Sequence, residues 1–343
     1  MHGERCYDGY SNMGNHEVEE SSGLWIAADS LVSAMPGSPL IEDAAKLFGL
    51  PIVCRSPDKE GFFSQIYYAH TYGYCFAGST LMGQNAYLAL APLLSNLVSS
   101  TSYVPSLADV SQHVLSYLRL TFDDYKERVG PQALFEVALF GHCISTNKLS
   151  VFHYTPKLTD GVYMMSCVSY EDIKDRDFIY LGDERAYMSA KIAAAFSGES
   201  VPGRPLSRIP RHVIQDHIDA QDFPNIGGDL QLGIADRLGF RPFALCKPRV
   251  IGQPAAYLSY LGRELTPISR MSVKLWLVDP LLCECVKRRS LQLPDRSFYP
   301  LFIDHLSRSG TPPHLVLLVA SRNPDRWCGG FLPVSARSHR AWL

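Results

Sequence analysis

The sequence predicts an α+β fold in which two stacked antiparallel sheets are flanked by helices. Strand-like segments come in blocks, and the helical segments lie between the blocks rather than after each strand. This order favours antiparallel sheets covered by helices over a parallel, doubly wound sheet. With 343 residues, of which 46% are hydrophobic and 19% charged, the chain can bury a substantial core.

Charge divides the chain unevenly, although the formal net charge is only −2. Residues 241–343 carry fifteen Lys and Arg against six Asp and Glu, whereas residues 1–240 carry 17 against 28. Such a split indicates separate units. We therefore expect three parts, with partial disorder of the last left open: a polar N-terminal arm at 1–23, a main domain at 24–238 and a basic C-terminal extension at 239–343.

The first half of the main domain begins with strand signals. Residues 24–33 predict a strand that is followed by the turn dipeptide Pro36-Gly37. A short helix or turn is expected at 41–48 and a strand at 51–54. Residues 62–76, rich in Tyr, Phe and Ile, predict one long strand or a hairpin.

Two helices are expected next. Residues 80–98 are apolar nearly all round, which predicts burial against the sheet on one side and against a neighbouring element or subunit on the other. We therefore expect a homo-oligomer. Residues 106–128 have apolar residues at helical spacing, and Ser106 with Asp109 predicts an N-terminal cap.

The second half returns to strands. Residues 134–144 and 149–154 flank a turn and predict an antiparallel hairpin. A strand pair at 161–169 and 178–181 leads into an Ala-rich helix at 184–196. In the extension, residues 315–320 are typical of a buried strand.

The sequence favours no membrane, metal, cofactor or nucleic-acid partner. The longest apolar run, 81–98, is interrupted by polar residues and Pro92, and no apolar targeting segment begins the chain. Nine cysteines without framework spacing predict reduced thiols and a cytoplasmic protein. Cys283-x-Cys285 lacks the second pair of a zinc site, and the basic run 287–289 lacks stacking aromatics.

Histidines on the predicted hairpin raise a further hypothesis. His142-Cys143 and His153 are expected to face each other across it, as a metal or Cys-His pair would. A histidine on a central strand is more often a hydrogen-bonded core group, which is the interpretation we favour.

Five motifs occur in one order over residues 24–235, about two thirds of the chain. They are Ala27-Ala28-Asp29-Ser30 after an apolar strand, Phe76-Ala77-Gly78-Ser79 before a helix, the paired strands 135–141 and 149–154, Ile179–Gly182, and Asp222–Gly228 before a strand. Together they resemble the β subunits of the proteasome, within the N-terminal nucleophile (Ntn) hydrolases. The resemblance implies a four-layer αββα sandwich of antiparallel sheets.

The same resemblance implies a site for peptide or amide hydrolysis. Its residues would be Asp29, Lys46, Gly78 near the oxyanion, and Asp222, grouped around an N-terminal Thr, Ser or Cys whose own α-amine acts as base. From the residues alone, Lys46 could equally be a solvated helix residue. Gly78 could simply satisfy a tight strand-to-helix turn.

The nucleophile itself is not evident. No threonine precedes Thr71, and the window about 14–16 residues before Asp29, one hairpin away, holds Met13, Gly14 and Asn15. The expected alternating first strand is also missing.

The sequence therefore predicts a non-catalytic member of this class that serves as an assembly or binding module. The alternative is a self-processed amidohydrolase or peptidase that uses Cys6 or Ser11, the nearest nucleophilic side chains. A third interpretation is a degraded reading frame.

Overall fold

The computed structural model describes residues 23–35, 38–171, 173, 177–198, 209–248, 256–265 and 315–319. Through α2 the elements are strands β1 (Leu24–Ala28), β2 (Val32–Met35), β3 (Ser38–Ile41), β4 (Leu47–Ser56) and β5 (Gln65–Gly78), helix α1 (Thr80–Leu94), strand β6 (Leu97–Val98) and helix α2 (Leu107–Val129). After a 3-10 turn at Gly130–Ala133 come strands β7 (Phe135–Cys143), β8 (Lys148–Thr159), β9 (Val162–Tyr170) and β10 (Asp177–Leu181), and helices α3 (Arg185–Ser197) and α4 (Ile209–Ala220). The last strands are β11 (Gln231–Asp236), β12 (Gly239–Pro248), β13 (Ala256–Tyr260), β14 (Arg263–Glu264) and β15 (Leu315–Val319).

A six-stranded sheet has the order β6-β4-β5-β7-β8-β9. All its neighbours are antiparallel except β4 and β6, which run parallel. The predicted hairpin is confirmed as β7 and β8, and residues 62–76 form most of one long strand, β5. No helix forms at 41–48, because Ile41 still belongs to β3 and Leu47 already begins β4, where it pairs with Cys75.

A seven-stranded sheet has the order β10-β15-β1-β11-β12-β13-β14. Here β15 lies between β1 and β10 and runs parallel to both. The expectation of purely antiparallel sheets is therefore wrong, and both sheets are mixed. Block order cannot reveal such a strand, because β15 comes from residues far along the chain and its apolar run Leu-Val-Leu-Leu-Val suits burial in any sheet of either sense.

The predicted boundary after residue 238 falls inside a β-hairpin. β11 and β12 are adjacent and antiparallel, with Asp236 opposite Gly239. Three further described strands, β13, β14 and β15, belong to the same sheet. The change of charge along the chain thus does not coincide with a change of structural unit.

Three apolar clusters hold these elements together. The first, the α1–α2 cluster, joins both helices to the six-stranded sheet and includes Tyr74, Leu90, Phe122 and Phe135. The second, the inter-sheet cluster, takes side chains from strands of both sheets, among them Leu24, Ile26, Phe140 and Phe240. The third, the α3–α4 cluster, joins those helices to the seven-stranded sheet and includes Met188, Ile192, Ile214 and Leu232.

Both helices of the α1–α2 cluster begin where the sequence indicates. The Ser106 hydroxyl accepts a hydrogen bond from the Asp109 N–H, and the Asp109 carboxylate accepts one from the Ser106 N–H, so the predicted cap is a complete capping box. Helix α1 ends at Leu94, a few residues before the predicted end. No helix in the described part of the chain is long and apolar enough to cross a membrane.

Candidate functional site

A buried ion pair joins the end of β1 to the start of β4. Lys46 Nζ lies 2.6 Å from Asp29 Oδ1, and the two side chains are 2% and 0% exposed. The ion pair expected from the resemblance is thus present. Lys46 is not the solvated helix residue that the sequence alone left open, because no helix forms there and the side chain is buried.

Backbone and amide groups fix this pair in one orientation. Asp29 Oδ2 accepts hydrogen bonds from the backbone N–H groups of Leu31 at 3.2 Å and of Gly227 at 3.3 Å. Gln231 accepts from the Lys46 N–H at 3.0 Å and donates to the carbonyl groups of Asp29 and Ala44. Gln231 begins β11, so it ties the two sheets together at the ion pair. The sequence analysis missed this residue, because a single Gln before an apolar strand carries no signal of its own.

Burial shifts the pKa values of both groups. Loss of hydration raises the pKa of Asp29, while the Lys46 ammonium and the two N–H donors oppose that shift. Burial likewise lowers the pKa of Lys46, with the Asp29 carboxylate opposing. The two proton affinities therefore converge, which is the property expected of a pair that could exchange a proton with a bound group.

Gly78 lies at the same end of the six-stranded sheet. Leu47 pairs with Cys75, so Lys46 is level with the last residues of β5, and Gly78 pairs with Phe135. Gly78 has φ +93°, and a Cβ there would lie 2.7 Å from the Leu134 carbonyl oxygen. The tight turn into α1 therefore requires glycine whether or not an oxyanion binds nearby.

Asp222 is placed apart from the Asp29 contacts. Its carboxylate lies 2.9 Å from His217 Nδ1 on α4, its side chain is 47% exposed, and it makes no hydrogen bond to Asp29. Asn225 takes the inward position instead, because its side-chain amide donates to buried Asp183 at 3.1 Å.

Tyr180 adds a polar group that the sequence analysis did not single out. It is 4% exposed, and its hydroxyl has no hydrogen-bond partner among the described residues. Burial, and then the negative charges of Asp29 and Asp183, hold its pKa well above the ordinary range. A buried hydroxyl near two carboxylates can donate to a bound polar group.

A second buried charge cluster lies next to Gly78 across the β5–β7 ladder. Glu136, fully buried, accepts from His153 Nε2 at 2.9 Å and contacts Arg185 at the start of α3. His153 lies opposite Ala138, while His142 lies opposite Leu149. The hypothesis that His142-Cys143 and His153 face each other is therefore wrong. His153 is the hydrogen-bonded core group that we favoured.

The remaining candidates are the two possible nucleophiles and a possible metal site. Cys6, Ser11 and the Cys283-x-Cys285 pair lie outside the described residues. Within the described ranges, no group of three or more His, Cys, Asp or Glu side chains is placed to hold a metal ion.

No protein-family model matches the sequence, and a search of the curated proteins finds no significant match.

Proposed function

We propose that the chain is a proteasome-like member of the Ntn-hydrolase class that does not catalyse and serves as an assembly or binding module. In this proposal the two sheets and their helices form the four-layer αββα sandwich. The order of the three apolar clusters, helices against sheet, sheet against sheet and sheet against helices, supports that layering.

The pairing of β1 is the observation that carries the proposal. An Ntn nucleophile should begin a strand that pairs with β1, so that its hydroxyl or thiol lies beside Asp29 and Lys46. Both edges of β1 are already paired, one with β11 and the other with β15. A strand that starts with Cys6 or Ser11 would have to displace β11 or β15 to pair with β1.

Asp29 and Lys46 then have a structural role. Their contacts link β1, β4, β11 and the loop at Gly227, residues far apart in the sequence. A buried ion pair held by several hydrogen bonds fixes the arrangement of the elements it joins, even where its net contribution to stability is small.

The direct test is chemical labelling of the full-length protein. A fluorogenic peptide amide and an electrophilic probe that reacts with N-terminal Thr, Ser or Cys should both give no signal, and the intact mass should match the whole chain. The self-processed alternative predicts the opposite: a probe adduct together with loss of the residues that precede Cys6 or Ser11.

Arm variants separate the two outcomes. Labelling that disappears in Cys6→Ala or Ser11→Ala, but persists in the matched control Ser21→Ala, would overturn the non-catalytic proposal. Circular dichroism on all three variants shows whether each one is folded, so that a loss of signal is not mistaken for a loss of structure.

Cellular context follows the same proposal. Cys54, Cys75, Cys143 and Cys167 are free. Free thiols favour a reducing compartment, and we propose the cytoplasm.

A further inference from the structure

The hairpin end of β7 carries a cysteine in an unusual setting. Cys143 Sγ accepts a hydrogen bond from the backbone N–H of Leu107 at 3.3 Å and lies 3.1 Å from the Ser145 hydroxyl. Leu107 is the first residue of α2, a helix of 23 residues. The sulfur therefore lies at a helix N-terminus, where exposed N–H groups favour negative charge.

The thiols in the described part of the chain differ in their proton affinity. Burial alone would raise the pKa of Cys143, but hydrogen bonds from Ser145, Thr146 and the Leu107 N–H outweigh it and leave that pKa below its ordinary value. Burial raises the pKa of Cys54, Cys75 and Cys167.

A second, independent feature lies beside this sulfur. Tyr72 on β5 is fully buried, and its hydroxyl makes no hydrogen bond of ordinary geometry among the described residues. Burial raises its pKa, and so do the adjacent Tyr68 and Cys143, which places its hydroxyl near the thiol.

A buried hydroxyl without a well-formed hydrogen bond destabilises the folded protein. An oxygen atom attached to Cys143 Sγ would give the Tyr72 hydroxyl an acceptor. The surroundings of Cys143 thus suit both a thiolate and its oxygenated product.

We propose that Cys143 is a site of reversible oxidation by hydrogen peroxide. The thiolate sulfur attacks one peroxide oxygen, so that an S–O bond forms while the O–O bond breaks. Sulfur loses two electrons and becomes a sulfenic acid, the peroxide is reduced, and its second oxygen leaves as hydroxide and takes a proton from solvent to give water. A small thiol can return the sulfenic acid to the thiol through a mixed disulfide.

This site is separate from the Asp29–Lys46 pair. Cys143 ends β7, whereas Phe135, which pairs with Gly78, begins it. The proposal therefore does not depend on whether the chain is an Ntn-type protein.

The first test uses the cysteines of the same molecule as internal controls. The native full-length protein is alkylated with iodoacetamide from pH 5.5 to 9.5, and each cysteine is followed by peptide mass spectrometry. The pH at which the alkylation rate of a cysteine reaches half its maximum does not depend on how accessible the thiol is. This midpoint therefore reports the ionisation of the thiol alone. We expect the Cys143 midpoint to lie about one pH unit or more below those of Cys54 and Cys167. A midpoint equal to or above theirs, or no alkylation of Cys143 before unfolding, would overturn the proposal.

A backbone variant tests the helix N–H. Leu107→Pro removes the donor at a helix position that tolerates proline, and Ser106 already has the extended φ −69° and ψ 163° that proline requires before it. Leu107→Ala is the matched control, because it loses the buried side chain but keeps the N–H. The pH midpoint of Cys143 alkylation should rise in Leu107→Pro and stay unchanged in Leu107→Ala. Equal midpoints in the two variants would show that the Leu107 N–H does not lower the pKa of Cys143.

The second test is the oxidation itself. After brief treatment with hydrogen peroxide, dimedone should trap a sulfenic acid at Cys143 in several-fold excess over Cys167, which is more exposed. Tyr72→Phe, which removes only the hydroxyl, should reduce that yield without moving the alkylation midpoint. Equal trapping at Cys143 and Cys167 in the wild-type protein would overturn the proposal whatever the variants do.

Discussion

At the scale of single residues, the Asp29–Lys46 pair illustrates how a buried charge is tolerated. Each charge loses its hydration on burial. The opposite charge and fixed N–H and amide groups replace the lost contacts with water. The same environment would serve catalysis or architecture equally well. The two roles are distinguished by which strands pair with β1 and not by the Asp29–Lys46 ion pair itself.

Removing one partner should leave an uncompensated buried charge. We expect Lys46→Met or Asp29→Asn to lower the free energy of unfolding, by about 3–5 kcal/mol for Lys46→Met. The double variant should cost less than the sum of the two, since neither charge is then left alone. Urea denaturation followed by circular dichroism measures all three.

Asp123→Asn provides the matched control for this experiment. It breaks the surface pair with Lys126 on α2, in which Asp123 is 58% exposed. Its effect should be under about 1 kcal/mol. A similarly small effect of Lys46→Met would contradict the structural role proposed for the buried pair.

At the scale of elements, α2 depends on its capping box. Hydrogen bonds from Tyr103, and then from Ser106, lower the pKa of Asp109 in the folded protein. A carboxyl whose pKa is lowered by folding stabilises the protein above its unfolded pKa of about 3.9, and this contribution disappears as pH falls through the folded value.

Stability should therefore fall below about pH 4 in part through Asp109. Asp109→Asn should flatten this dependence, and the exposed Asp124→Asn on the same helix should not. Urea midpoints between pH 3 and 6 give the comparison. Parallel curves for the wild-type protein and Asp109→Asn would show that the cap does not titrate as described.

Helix α1 leaves apolar residues uncovered. Met82, Ala86 and Leu90 are buried against the six-stranded sheet, whereas Leu81 and Leu88 are 67% and 66% exposed. None of its 15 residues is charged. A second copy of the chain suits such a face, because two uncharged surfaces meet without desolvating ions.

We therefore expect Leu88→Lys to weaken self-association of the protein. Sedimentation velocity over a range of concentrations should show an oligomer for the wild-type chain and a shift towards monomer for the variant. Leu120→Lys is the control, since Leu120 is a similarly exposed leucine on α2 at 69%. A wild-type monomer at all concentrations would contradict the expectation.

At the scale of the whole molecule, β15 is an interior strand that joins β10 to the rest of the seven-stranded sheet. It pairs along its full length with β1 on one side and β10 on the other, with Leu317 opposite both Ile26 and Ile179. A central strand leaves two rows of backbone groups without partners when it is removed. The segment at 315–319 is thus part of the fold and not an appendage.

Truncation tests this directly. A chain that ends at residue 312 should lose its cooperative unfolding transition, because β1 and β10 then have unpaired edges in the sheet. A chain that ends at residue 326 keeps β15 and is the matched control. Calorimetry on both distinguishes the cases, and a cooperative transition of unchanged midpoint in the shorter chain would show that β15 is dispensable.

Local patterns determined much of this molecule from the sequence alone. The β7–β8 hairpin, the start of α2 at Ser106 and the β15 segment follow from alternation, capping residues and an apolar run, each of which acts over a few neighbouring residues. The Asp29–Lys46 contact was expected only through the family resemblance. That contact joins Asp29, which directly follows β1, to Lys46, which directly precedes β4.

Tertiary structure alone decided the features that bear most on function. The position of β15 between β1 and β10, the tie through Gln231 and the inward place of Asn225 instead of Asp222 all join residues remote in the sequence. Likewise, nothing in the sequence around Cys143 shows that α2 begins at its sulfur or that Tyr72 lies beside it. A strand's propensity is local, whereas its partner depends on which edges and faces the rest of the chain leaves unpaired.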